Sequence, residues 1–243
     1  MITAVAVPGL PEIAAGDDLA ALLRAAAADL RATDVLVLAH KVVSKAEGCV
    51  RRLADVTPGR QAEALAPRLS KDPRHVQVIL DESVEVLRDE RVLICRTRHG
   101  FVCANAGVDT SNAPGDETLV LLPEDPDASA RRLRAALPNR PAIVIADSFG
   151  RAWRVGQCDV AIGVAGLAPV DDWRGCADRD GRELSATVIA IADQAAAAAD
   201  LARAGKDAGE PAVVVRGLER FVTDDDGPGA AALVRALDED LFR

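Results

Sequence analysis

Apolar positions along the chain change period several times, and each change marks an element. Residues 2–7 (ITAVAV) read as a short strand, stopped by Pro8-Gly9 and Pro11. Asp17 and Asp18 then open a helix in which Leu19, Leu22, Leu23, Ala26 and Leu30 recur at helical spacing. Val35–Leu38 is a continuous apolar run, the pattern of a strand buried on both faces. It leads into the polar stretch His40–Gly48. Thr57-Pro58 and Asp72-Pro73 each place a capping residue before a first-turn proline, which predicts helices over 58–69 and 73–89.

The middle of the chain is strand-rich. Arg91–Thr97 and Phe101–Ala104 flank a hairpin turn at Arg98-His99-Gly100, and Leu119–Leu122 is another short strand. Asp125-Pro126 opens a helix to about Leu137. Ala142–Ala146 reads as a buried strand ending at Asp147. Val160–Val164 follows, and then a turn-rich stretch to Gly181. The alanine-rich segment 186–204 predicts a long helix, although Thr187–Ile189 fits a strand equally well. Val213–Val215 is a last strand, and 228–241 a C-terminal helix. Strands outnumber clear βαβ units, so the pattern predicts an α+β fold.

Composition narrows the function classes. Asp plus Glu is 38 against 29 Lys plus Arg, a net −9 that argues against a general nucleic-acid binder. No run approaches a membrane span, and the N-terminus lacks the basic and apolar regions of a signal peptide. The expectation is a soluble, cytoplasmic protein. Aromatics are only 2%, with no Tyr, so the core must be built from Ala, Val, Leu and Ile. Five cysteines without CxxC spacing fit free thiols in a reducing compartment. His40, His75 and His99 show no metal-ligand spacing, and His75 reads as a surface residue of its helix.

Three polar clusters interrupt this apolar frame. Ser44-Lys45-Ala46-Glu47-Gly48 follows a buried strand. Its lysine could reach a phosphate, or the run could be a solvated turn or a Ser44–Glu47 capping box. Asn105–Asn112 (NAGVDTSN) gathers amides, hydroxyls and Asp109, which suits either Mg²⁺ or Mn²⁺ with its water shell or a simple Asx turn. Asp147–Arg154 (DSFGRAWR) places a carboxylate at a strand end, a hydroxyl at Ser148, and the guanidinium forks of Arg151 and Arg154. That set fits a metal-phosphate site, with a surface Asp147–arginine pair as the alternative. In a chain of net negative charge, local cations are what would hold a nucleotide.

Six runs carry a resemblance. LVLAHKVVSKAEG, ANAGVDTSN, LLPEDPDASARRLR, IADSFGRAWRVGQCDVAIGVAGL, DRDGRELSATVIAIADQAAAAADL and PAVVVRGL, in this order from about Val5 to Leu218, resemble the F420-0:gamma-glutamyl ligases in their stand-alone form. (F420 is a deazaflavin coenzyme.) The resemblance implies a two-domain α+β architecture in an intertwined homodimer. Here that is one module over 1–243, with 1–88 plus 186–243 and 89–185 as possible sub-domains. It implies a GTP-dependent amide ligation joining L-glutamate to the carboxylate of the F420 precursor, then gamma-linked glutamates. The route it suggests is an acyl phosphate, with Mg²⁺ or Mn²⁺ required and K⁺ assisting. A ligase acting on another acid and a non-catalytic nucleotide-binding relative are the alternatives.

Carried over by motif, Asp109 and Asp147 resemble the ligands of one metal and Ser148 a ligand of a second. Leu10, Pro11, Glu12 and Ile13 resemble a nucleotide-contacting turn, and His40, Lys41, Lys45 and Asn112 further GTP contacts. Arg203, Ala204, Gly205, Lys206, Asp207, Ala208, Gly209 and Glu210 correspond to another GTP-contacting loop. Arg151 and Arg154 are assigned to substrate or phosphate from their chemistry alone. There are departures. Many relatives carry Ser or Thr at the position of His40 and Thr at that of Ser148. Aligned on Pro211, a glutamate often found as a metal ligand falls at Gly205.

Overall fold

The computed structural model describes residues 1–115, 117–205 and 207–240. The chain opens with β1 (Thr3–Ala6) and α1 (Leu19–Ala26), capped by Asp18, whose carboxylate accepts the Ala21 N–H at 2.9 Å. Leu30 lies beyond that helix but is buried in the same core. β2 (Val35–Ala39) passes directly into α2 (His40–Ala46), then β3 (Val50–Arg52), α3 (Arg60–Leu69) and α4 (Pro73–Asp81). β4 (Ser83–Arg88), β5 (Ile94–Thr97), β6 (Val102–Ala104) and β7 (Thr118–Val120) follow. α5 (Pro126–Ala136), β8 (Ala142–Arg151), β9 (Arg154–Ala165), β10 (Val170–Asp172), β11 (Val188–Ala190), α6 (Ile191–Ala202) and β12 (Ala212–Arg216) complete an α+β fold, as expected.

Several boundaries differ from the sequence pattern for identifiable reasons. The helix expected over 73–89 stops at Asp81, where the Ser83 hydroxyl donates to the Ile79 carbonyl at 2.5 Å. The alternating residues 83–88 then pair with β5. The strand expected to end at Asp147 continues to Arg151, because residues 148–151 pair with 154–159 as a long hairpin. The helix expected over 228–241 is replaced by short 3-10 turns at Ala230–Leu233 and Leu237–Glu239; residue 241 lies outside the described residues. Gly229 sits at φ 80, and the Asp127 carboxylate takes the Ala230 N–H at 2.8 Å, so this segment is tied to α5 rather than to itself. His75 is half-buried with a fully buried Nε2, not a surface residue. The five cysteines are unbridged, as expected.

The central sheet runs β1-β12-β2-β8-β9, with β2 and β8 parallel and the other pairs antiparallel. It joins strands from both sides of the subdivision considered above, since β2 pairs with β8. Alternation sorts its side chains. Leu36, Leu38, Ile143, Ile145 and Ile162 face α1 and α5. Val35, Val37, Val144, Val213 and Val215 face α6. The α6 contact surface is Ala192, Ala195, Ala196 and Ala199, small enough for the helix to lie close on the valines. A separate cluster under α3 and α4 (Leu65, Val76, Ile79, Leu93, Leu119) positions the 105–112 loop. Each fully buried Leu, Ile or Val contributes about 1.5–3 kcal/mol. Among the described residues, no helix is long and apolar enough to cross a membrane.

One carboxylate works against the fold. Asp193, in the first turn of α6, accepts the Ala161 N–H at 2.9 Å, yet burial pushes its pKa above the usual carboxylate range against the effect of that bond. The folded state therefore holds its proton more tightly than the unfolded chain, and stability falls as pH rises past the unfolded value. Asp193→Asn keeps an acceptor for Ala161 and removes the buried charge. It is expected to raise the melting temperature at pH 7, with the gain vanishing as pH falls through the unfolded carboxylate range. Melting curves across pH check it, and a gain unchanged at low pH would contradict the charge argument.

Candidate functional site

The parallel β2–β8 pair fixes where the polar groups meet. β2 ends at Ala39, whose N–H donates to the Pro211 carbonyl at 2.8 Å, and the chain turns at once into α2. His40 and Lys41 therefore stand at the carboxyl end of the sheet, where open α/β sheets present their ligand crevice. His40 is buried. Its Nδ1 lies 3.2 Å from the Ser44 hydroxyl one turn on, and its Nε2 lies 3.3 Å from Asp147 Oδ1. Asp147 also accepts the Ser148 N–H at 2.8 Å. Its expected alternative partner, an arginine, is replaced by this histidine.

Lys41 reaches the second carboxylate. Its Nζ lies 2.6 Å from Asp109 Oδ2 and also donates to the Ser111 carbonyl at 3.0 Å. Asp109 accepts the Ser111 N–H at 2.8 Å, so the Asx turn considered from sequence is present, and the same turn leaves the carboxylate 43% exposed. Burial pushes the Asp109 carboxyl up, but the bonds from Lys41 and Ser111 outweigh it and hold it below the usual carboxylate range. The backbone leading here is unusual: Asn105, Ala106 and Gly107 all take positive φ, at 52, 52 and 74°. Asn and Gly tolerate this region, whereas the alanine is held there by its surroundings. A Cβ on Gly107 would lie 2.6 Å from Leu122. Consecutive residues of α2 thus place Asp147 and Asp109 on either side of one helix start.

Lys45, one turn further, is buried rather than part of a solvated turn. Its ammonium pairs with Glu12 and donates to the Asn112 carbonyl at 3.1 Å. It thereby ties the Leu10–Ile13 turn to the Asp109 loop. Ile13 is itself core, and Glu12 is mostly exposed. The Ser44–Glu47 capping box does not form, because both lie at the far end of α2 and Ser44 bonds back to His40.

Ser148 follows Asp147 on a strand and so points to the opposite face. There its hydroxyl donates to Asp159 Oδ1 at 2.5 Å, and Asp159 Oδ2 lies 2.6 Å from Arg203 Nη1. Arg203 opens the 203–210 loop, in which Glu210 accepts the Ala204 N–H at 3.1 Å. Lys206 lies outside the described residues. The apolar pattern starts this strand at Val160, which leaves Asp159 outside it. Continuing the alternation back from Ala161 would have placed it on the α6 face.

The arginines of the third cluster do not join these groups. Arg151 is four residues along β8 from Asp147, roughly 13 Å at about 3.3 Å per residue. Its Nη2 donates to the Val155 carbonyl at 2.9 Å within its own hairpin. Arg154 lies on the same exposed tip, beside Trp153 and Val155, which are 85% and 99% exposed. Cys103 is no nucleophile: burial, helped by the charge of Asp147, pushes its thiol up to about 12. Among the described residues, no group of three or more His, Cys, Asp or Glu is arranged to hold a metal by itself.

Comparison with known proteins gives a consistent result. The family model for F420-0:gamma-glutamyl ligase matches residues 9–217. The coenzyme F420:L-glutamate ligase of Halobacterium salinarum is 48% identical over 246 residues, covering 99% of this chain and 95% of that protein. The Methanothermobacter thermautotrophicus protein of the same name is 43% identical, covering 100% and 99%. That of Methanopyrus kandleri is 45% identical, covering 98% and 96%.

Proposed function

The chain belongs to the F420-0:gamma-glutamyl ligase family and is a ligase, and from that premise we propose that it joins L-glutamate to the carboxylate of the F420 precursor at the expense of GTP. The observation that carries the reading is α2, whose His40, Lys41 and Lys45 pair with Asp147, Asp109 and Glu12 at one sheet end. A carboxylate is a poor acyl donor. In the proposed reaction its oxygen attacks the GTP γ-phosphorus, and the bond to GDP breaks. The glutamate amine then attacks the acyl carbon of the resulting acyl phosphate. The new C–N bond forms, the C–O bond to phosphate breaks, and the amine releases its proton. Lys41 and Lys45 are the cations within reach of the phosphates, with Arg203 on the opposite face. The Leu10–Ile13 turn, His40, Asn112 and the 203–210 loop frame the nucleotide.

A divalent ion fits this donor set. Mg²⁺ and Mn²⁺ favour oxygen ligands, and Mg²⁺ typically takes one or two carboxylates and completes its shell with substrate phosphates and water. Asp109 and Asp147 would hold one ion, and Ser148 would offer an oxygen to a second; K⁺ is the assisting monovalent ion. When bound, such an ion neutralises charge on the transferring phosphoryl group. The exposed Trp153 and Val155 of the β8–β9 hairpin supply the apolar surface for a homodimer.

Incubation with GTP, Mg²⁺ or Mn²⁺, glutamate and the precursor is expected to give a product one glutamate heavier and stoichiometric GDP. The same preparation is expected to sediment at twice the chain mass of 25.4 kDa. GDP formation and mass shift with a different acid only would reassign the acceptor. Nucleotide binding with neither product would reduce the chain to a non-catalytic relative.

A further inference from the structure

The face of the sheet that carries Asp147 also carries rings that the reading above does not use. Alternation along β8 sends Phe149 to the same side as Asp147. Val160 and Cys158 lie opposite these two on β9 and share that side. All four are partly exposed. Phe101, just before β6, sets its ring edge-on to Phe149, with centroids 6.3 Å apart and an interplanar angle of 70°. His99 stacks on Phe101 at 5.6 Å. Its Nε2 lies 3.0 Å from the Pro123 carbonyl and so carries the proton, and its Nδ1 accepts from the Thr97 hydroxyl at 3.3 Å. Burial, with the Arg98 charge added, holds this imidazole below its usual range, so the stack consists of neutral rings at pH 7. Two of the chain's four phenylalanines thus meet beside one carboxylate of the site. Both are packed at the rim of the core rather than inside it.

We infer that Phe149 and Phe101 form the platform against which the planar deazaflavin ring of the acceptor lies, which makes them specificity-determining residues of the proposed reaction; the inference rests on the ligase reading. Small-molecule sites are lined mostly by apolar and aromatic groups, with few polar ones to fix orientation. Here Phe149, Phe101 and Val160 are the apolar part, and Asp147 stands at its edge. Phe149 is two residues from Asp147 on β8, roughly 7 Å at about 3.3 Å per residue. A ring seated on Phe149 therefore leaves room for the rest of the acceptor to reach α2 with its carboxylate. The guanine base of the nucleotide is the other fused ring in the reaction. It fits less well, because the platform has no polar edge with which to read a base: both His99 nitrogens are taken up by Thr97 and Pro123.

The test is calorimetric binding of a 5-deazaflavin without the acceptor's carboxylate, and of GDP, to the full-length chain, with KM for the precursor and melting curves alongside. Phe149→Leu and Phe101→Leu each keep an apolar side chain and remove one ring. Each is expected to raise the deazaflavin Kd and the precursor KM about 5–100-fold, the range for loss of one stacking partner, with kcat and GDP affinity unchanged. Phe149→Tyr, which keeps the ring, is expected to restore both. If Phe149→Leu does not fold, Phe101→Leu decides by the same measurements. A wild-type chain that does not bind the deazaflavin overturns the platform. So does a raised GDP Kd with deazaflavin binding unchanged, which would give the rings to the guanine. Loss of the dimer with an unchanged precursor KM overturns it too, by giving them to a second copy of the chain. Ring binding needs no turnover. A chain that holds the deazaflavin on these rings but makes no glutamyl product therefore contradicts the ligation reading alone, and one that ligates the precursor equally well in every variant contradicts the platform alone.

Discussion

Asp109→Asn is expected to lower GDP-forming ligation on the order of 10²–10³-fold, the range seen when one preorganised electrostatic group is removed from a reacting centre. The variant should fold. The backbone of Asp109 is pinned by reciprocal bonds with Val120 at 3.0 and 2.8 Å, which do not involve the side chain. The asparagine oxygen can still accept the Ser111 N–H. The ion that loses its counter-charge is Lys41, which is 18% exposed and keeps the Ser111 carbonyl, so it is not left buried without a partner. What disappears is the negative charge that opposes Lys41 and would hold a divalent ion beside the phosphates. Asp147→Asn should be equally damaging to the rate, with a larger effect on stability, because its partner His40 is buried. Glutamate-dependent GDP release and melting temperature, measured on the same samples, separate the two effects. An Asp109→Asn protein turning over at the wild-type rate would remove this carboxylate from the chemistry.

The parts of the fold legible in the sequence are those set by short-range physics. The continuous apolar run of β2 foretold a strand covered on both faces, and Leu36 and Val37 indeed face opposite cores. The Asp125-Pro126 and Asp72-Pro73 signals placed the starts of α5 and α4 correctly. Ends were harder to read. Nothing local to Asp147 says that β8 continues, because what extends it is pairing with residues 154–159 across a turn. The 228–241 segment has helical spacing but is claimed by a long-range bond from Asp127. The site shows the same division. Its polar clusters were visible as interruptions of apolar runs, but their partners were not. Lys41 meeting Asp109, Lys45 meeting Glu12 and Asn112, and Asp159 behind Ser148 all depend on which strands lie side by side.

Gly163→Ala should be the most damaging small substitution in the sheet, for a reason confined to one close approach. Gly163 lies in β9 opposite Ile145, beneath the first turn of α5. A Cβ there would sit 2.4 Å from the Pro126 carbonyl oxygen and 2.7 Å from its carbon. These are backbone atoms at the start of a helix, so no side chain can swing aside; either α5 lifts or β9 bends. Both movements pull on Asp127, whose Oδ1 accepts the Val164 N–H and the Ala230 N–H, each at 2.8 Å. Separating α5 from β9 therefore releases the C-terminal segment as well as unpacking Ala130 and Leu133 from Ile162. Overpacking of this kind costs about 3 kcal/mol, which for a chain of this length lowers the melting temperature by roughly 6–12 °C. Gly150→Ala is the matched control on the other strand of the same hairpin. Its backbone is ordinary and a Cβ there meets nothing within 4 Å, so its effect should stay within about 0.5 kcal/mol. Equal melting temperatures for the two variants would show that the helix is not held against the strand at this contact. A selective loss at Gly163 would also reach the site, since the strand that shifts is the one carrying Asp159.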